Sequence, residues 1–160
     1  MAKMRVTVWR HGEAGAAPRD EDRPLTERGR LSLAAAMPEF HTLCASVEPT
    51  LIHFSPLLRT VQTAGIIAKH CAAATLVSCD ALAPGTNIRE PESFLADSDA
   101  THLVLVTHQP FVSELIWHWL GDMDVPPLSP GGFCLLDLIA PTRGGAVLLH
   151  AVPDILDRYR

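Results

Sequence analysis

Four residues carry the chemistry this sequence suggests: Arg10 and His11 in "VWRHGEA", Arg59 in "SPLLRTVQTA" and His108 in "VLVTHQP". A guanidinium holds two phosphate oxygens in a planar fork, and a neutral imidazole is a nucleophile. Two arginines beside a histidine repel one another and are costly to bury unless an anion answers them. A phosphoryl group is the obvious anion. Taken singly, each residue has a plainer reading: Arg10 as a solvated strand end, His11 as a satisfied edge histidine, Arg59 as an exposed helix residue, His108 as a helix cap. Only a shared location makes a site of them, so the elements that carry them decide the matter.

Met4 to Trp9 reads as a short strand that delivers Arg10 and His11 at its C-terminal end. A polar loop follows, and "LTERGRLSLAAAM" reads as a helix with Thr26 as N-cap, its course past Pro38 left open. Thr50 to Ser55 is a second strand. Ser55 is the expected N-cap of the next helix, with Pro56 at its first position. "ATLVSC" is a third strand, and "DALAPGTNIREPESFLADSDA" a loop with a short helix near Ser93 to Ala96. "THLVLVTH" is a near-continuous apolar run suited to the middle of a parallel sheet, and it delivers His108. "PFVSELIWHWLG" is a helix ending at Gly121, with Trp117 and Trp119 as packing residues; "GFCLLDLIA" and "AVLLHAV" form a closing hairpin around "PTRGG". Strands alternate with helices, so the expected class is α/β, three layers around a largely parallel sheet. In such a sheet ligands bind at the C-terminal edge of the strands, where all four residues fall.

The chain has 160 residues, enough for one domain spanning 1–160 with a real core. Its net charge of −5 argues against general nucleic-acid binding. No run approaches the roughly 20 apolar residues of a membrane span, and the N-terminus shows no signal-peptide pattern, so a cytoplasmic location is the default. Cys44, Cys71, Cys79 and Cys134 form no CxxC pair and read as buried free thiols. The eight histidines show no HxxxH or HExxH spacing, so neither metal nor cofactor is expected.

"RHG" after an N-terminal strand, then "PLTERG", "SPLLRTVQTA" and "VLVTHQP" in that order, resemble the histidine phosphatase superfamily, which has the phosphoglycerate mutase-like fold. The short length and "RHGEA" look most like its SixA-type phosphohistidine phosphatases. The resemblance implies that His11 becomes phosphorylated and that Arg10, Arg59 and His108 surround the phosphoryl group. It also implies that Gly12 lets the backbone pass close to the anion, with Gln109 beside it, and that Thr26 and Gly29 start the helix behind the loop. The substrate implied is a phosphorylated protein, such as a histidine phosphotransfer domain or a phosphocarrier, met by a monomer.

Larger superfamily members resemble this chain less in one respect, the general acid. Their glutamate would fall in "ALAPGTN" (Ala81 to Asn87), which holds no acid, and the phytase-like aspartate would fall at Gln109. An alkyl alcohol leaves poorly without a proton, whereas a phosphorylated imidazole leaves easily. The missing acid therefore points to phosphohistidine. The alternative is that Glu90, Glu92 or Glu13 moves in as the acid, which would make the protein a general small-molecule phosphomonoesterase. A non-catalytic phosphate-binding module is the third reading. The chain between Arg59 and His108 leaves little room for a cap, so the site should be shallow and open.

Overall fold

The structure, a computed structural model, describes residues 3–158. The elements run β1 (Met4–Arg10), a 3-10 turn (Asp20–Asp22), α1 (Glu27–Leu43), β2 (Leu51–Phe54), α2 (Leu58–Ala68), β3 (Thr75–Ser78), a second 3-10 turn (Asp80–Leu82), α3 (Arg89–Asp97), β4 (His102–Thr107), α4 (Phe111–Leu120), β5 (Phe133–Leu138), β6 (Ala146–Val152) and α5 (Ile155–Arg158). They form one six-stranded sheet in the order β3-β2-β4-β1-β5-β6. The first four strands in chain order are mutually parallel, and the β5–β6 hairpin closes the sheet, β5 antiparallel to β1 and β6 antiparallel to β5.

Alternation along the strands builds the layers. Val6, Val8, Leu103, Leu105, Cys134 and Leu136 pack on one face with Val112, Leu115 and Trp119 of α4 and Leu95 of α3. Trp9, Val104, Val106, Phe133 and Leu135 pack on the other with Leu33, Met37 and Phe40 of α1 and Ala64 and Ile67 of α2. The apolar run 102–107 is buried along its whole length, as its place between β1 and β2 requires. Trp9 is fully buried, with Phe133 and Phe40 at ring-centroid distances of 4.4 and 4.7 Å.

Several boundaries differ from the sequence reading, each for a local reason. Helix α1 runs through Pro38 to Leu43, because the buried stripe Leu33, Ala36, Met37 and Phe40 outweighs one lost backbone bond. Thr26 caps it as expected, accepting from Gly29 N–H at 2.9 Å. Ser55 does not cap α2. That helix starts at Leu58 behind Leu57, which makes no side-chain cap, and Ser55 Oγ turns to His108 instead. Helix α3 is longer than expected, Arg89–Asp97. Helix α4 ends at Gly121, whose φ of 75° suits glycine. Among the described residues no helix is long and apolar enough to cross a membrane.

Candidate functional site

Strand register brings the distant pieces level. Arg10 pairs with Thr107 and Phe54 with Val106, so the next residues, His11, His108 and Ser55, emerge at one edge of the sheet. The rings of His11 and His108 lie 5.2 Å apart between centroids. His11 is fixed through its backbone: its N–H donates to Thr107 O at 3.1 Å, and its carbonyl accepts from Gly131 N–H at 2.8 Å. The Arg10 N–H donates to Gly132 O at 2.9 Å. The "SPGG" turn that supplies these two contacts reads from the sequence as part of a long turn, Asp124 to Gly132, with no role at the site. Its adjacent glycines, Gly131 at φ 82°, are the only signal there that a backbone comes close.

The His11 side chain is held in one tautomer. Its Nδ1 lies 2.7 Å from Gly12 O, and a carbonyl only accepts, so Nδ1 carries the proton and Nε2 the lone pair. Burial pushes its pKa down to about 4, opposed by the bond to Gly12 and reinforced by Arg59, Arg10 and Arg23. His108 falls to about 3, from burial first, then from the His11 and Arg59 charges. Both imidazoles are therefore neutral at neutral pH. His108 Nε2 meets Ser55 Oγ at 2.7 Å, and its Nδ1 is buried with no partner.

The arginines show the same incompleteness. Arg10 Nη1 donates to Leu128 O at 2.9 Å, but its Nε is buried and unpartnered. Arg59, with a side chain 7% exposed, donates from Nη1 to Asp20 O at 2.8 Å and from Nη2 to Asp20 Oδ2 at 3.1 Å. Both terminal nitrogens of the Arg59 guanidinium are thus engaged, and its Nε alone is buried without a partner. Buried donors without partners are rare in folded proteins. Among the described residues six buried side-chain nitrogens lack a partner, and three of these belong to Arg10, Arg59 and His108.

Helix α2 holds the loop by a spacing the sequence reading did not use. Arg59, Gln62 and Thr63 lie three and four residues apart, hence on one face. Gln62 Oε1 accepts from Leu25 N–H at 2.8 Å. Thr63 Oγ1 accepts from Gly12 N–H at 3.0 Å and donates to Arg59 O at 2.8 Å. Gly12 is therefore placed differently from its expectation. Its N–H is engaged by Thr63, and what requires glycine is packing: an added Cβ would sit 2.7 Å from Leu33 Cδ1. Gly29 allows α1 to close on the loop, since a Cβ there would sit 2.5 Å from Glu13 O.

Gln109 also departs from its expectation. Its amide starts α4, accepting from Ser113 N–H at 3.2 Å and donating to Ser113 Oγ at 2.9 Å, so neither end of it is free for an anion. Two of the three glutamates are occupied, and the third is exposed. Glu13 accepts from Thr26 Oγ1 at 2.8 Å, with Arg28 3.8 Å away. Glu92 pairs with His118 at 2.7 Å, and both line a 570 Å³ hollow that contains none of the four site residues. Glu90 is exposed at the first turn of α3. Among the described residues no group of three or more His, Cys, Asp or Glu could hold a metal ion.

Two arginines and two histidines gathered at one sheet edge make a candidate anion site. Residues 6–83 match the histidine phosphatase superfamily (branch 1), which assigns that stretch to the family. None of the curated proteins matches the chain in sequence. Among solved structures, the protein histidine phosphatase SixA complexed with tungstate superposes with a TM-score of 0.78 at 21% identity, covering 94% of this chain and 97% of that one. The alpha-ribazole phosphatase of Shigella flexneri gives 0.69 at 18%, covering 95% and 97%. A phosphoglycerate mutase of Plasmodium falciparum gives 0.64 at 16%, covering 92% and 89%. The chain has the phosphoglycerate mutase-like fold, and residues 6–83 carry the match to the histidine phosphatase superfamily. The three neighbours' names span three chemistries, so the substrate has to be argued from the site.

Proposed function

We propose that this protein removes the phosphoryl group from phosphohistidine on another protein, through a covalent phosphohistidine at His11. The observation that carries the reading is the set of three buried, unpartnered nitrogens, Arg10 Nε, Arg59 Nε and His108 Nδ1, around a histidine whose Nε2 lone pair is free. His11 Nε2 attacks phosphorus in line. The bond from phosphorus to the substrate nitrogen breaks, and its electron pair goes to a ring already protonated at its other nitrogen, which leaves as neutral imidazole. Water then attacks the phosphoryl group on His11 and releases phosphate. The three donors meet the phosphoryl oxygens, and fixed donors in a buried site supply most of such catalysis.

The choice of phosphohistidine over an ester rests on the acid. Glu13 and Glu92 are engaged with Thr26 and His118. Asp20, which touches Arg59, has its pKa lowered by hydrogen bonds from Arg59 and Arg23, so it has no proton to give at neutral pH. An alkoxide leaving group goes unassisted here, whereas an imidazole brings its own proton. The substrate on this reading is a phosphorylated side chain presented by a phosphotransfer domain or phosphocarrier.

The test is a paired rate assay on purified protein, wild type and His11→Ala. One substrate is a phosphohistidine-bearing protein, the other a phosphoserine or sugar phosphate ester. Loss of phosphohistidine alone, abolished by the substitution, is expected. Equal turnover of the ester would move the protein to the general phosphomonoesterases.

A further inference from the structure

Nothing in the sequence singles out Asp20, yet it is the acid that touches the site. Its carbonyl and Oδ2 take the two terminal nitrogens of Arg59, and its Oδ1 takes Arg23 Nη1 at 3.2 Å. The Arg59 side chain is buried while the Asp20 side chain is 60% exposed. The carboxylate therefore stands between the buried guanidinium and solvent. It is also close enough to His108 to act on it electrostatically. A fixed negative charge there works against the binding of a phosphoryl dianion, because like charges at short range repel. Holding Arg59 in place explains hydrogen-bond acceptors at this position, and a neutral amide would serve that purpose. It does not explain a charge.

We propose that Asp20 sets leaving-group specificity: its carboxylate, held by Arg59 and Arg23 at the solvent side of the site, favours a substrate whose leaving group is cationic when bound over one whose leaving group departs as an anion. This rests on the phosphohistidine reading above. A phosphorylated imidazole protonated at its far nitrogen carries positive charge beside Asp20 until the bond to phosphorus breaks and the ring leaves neutral. A phenoxide or alkoxide takes the same electron pair and leaves with negative charge. Asp20 stabilises the first arrangement and opposes the second.

The experiment measures kcat/KM for phosphoimidazole and for p-nitrophenyl phosphate with wild type, Asp20→Asn, Asp20→Glu and His11→Ala. Asparagine keeps an oxygen for Arg59 but loses the one that accepts from Arg23, so Arg23→Gln is measured beside it to separate that contact from the charge. The ratio of phosphoimidazole to ester turnover is expected to fall about fivefold in Asp20→Asn, the scale of one charge at about 4 Å in water-like surroundings, which the exposed carboxylate has, and to recover in part in Asp20→Glu. A ratio unchanged in Asp20→Asn, whether or not both rates fall together, would overturn the proposal and leave Asp20 a positioning residue for Arg59. Failure of wild type to cleave phosphoimidazole in a His11-dependent manner would overturn the functional reading itself, and this inference with it.

Discussion

Replacing Thr63 with valine removes one hydroxyl and keeps the shape. Thr63 is fully buried, and its Oγ1 is the acceptor that Gly12 N–H has in this structure. Valine leaves that N–H buried without a partner, at a cost of about 1–3 kcal/mol. Arg59 O loses only a second donor, because it lies within α2, so its share is small. A net loss of about 2 kcal/mol is expected, which for a chain of this size lowers Tm by roughly 4–8 °C. The effect should reach catalysis as well. Gly12 sits between the nucleophile and α1, and its carbonyl fixes the His11 tautomer. Freeing the Gly12 peptide lets that carbonyl drift, and a misplacement of about 1 Å costs on the order of a hundredfold in rate. Thermal unfolding and kcat should be measured together for Thr63→Val and Thr63→Ser, since serine keeps the hydroxyl and loses a methyl. If valine matched wild type in both Tm and kcat, the loop would not be held through Thr63 and the account of α2 as its clamp would fail.

Three further outcomes are expected. Ser55→Ala removes the partner of His108 Nε2 and should lower turnover by about ten- to hundredfold with little change in KM, read from steady-state kinetics. Glu92→Gln should leave turnover at the wild-type level, because Glu92 faces His118; a large loss in the same assay would make it the acid after all. His11 and His102, both about 4 in the folded state against about 6.5 unfolded, stay neutral while the unfolded chain takes up protons. Stability is therefore full above about pH 6.5 and is lost as pH falls from there toward 4. Denaturant titrations at pH 7.5 and 5.5 should differ by about 3 kcal/mol from these two groups, and His108 adds in the same direction.

The strand-end placement of Arg10, His11 and His108 was legible because strands that alternate with helices run parallel and end together. The buried run 102–107 and the Thr26 cap were legible for equally local reasons: continuous apolarity and a hydroxyl three residues before a glycine. Ser55 shows where that kind of reasoning fails. A serine before a proline has the local chemistry of an N-cap, but here a buried imidazole from a strand some fifty positions away took the hydroxyl. Gln109 failed in the reverse sense: a polar side chain next to His108 was read as a ligand, and the helix start behind it took both ends of its amide. Asp20 was illegible because "RDEDR" reads as a solvated charge run, and only the fold shows which of its three acids meets Arg59. The course of α1 past Pro38 was left open because a proline's cost is local, and only the fold shows the stripe of four buried residues that carries the helix through it.

The three unpartnered nitrogens bear on the end of the catalytic cycle as much as on its beginning. Each regains a partner when an anion enters and loses it when the anion goes, at about 1–3 kcal/mol apiece. On the proposed reaction the last anion in the site is inorganic phosphate, the product. Emptying the site then becomes the uphill step, so turnover should begin with a burst of one equivalent of freed imidazole and settle to a slower rate set by phosphate departure. Inorganic phosphate should also inhibit competitively and raise the temperature of unfolding. Asp20 pulls the other way, because a carboxylate against Arg59 competes with phosphate for the same guanidinium and helps to expel it.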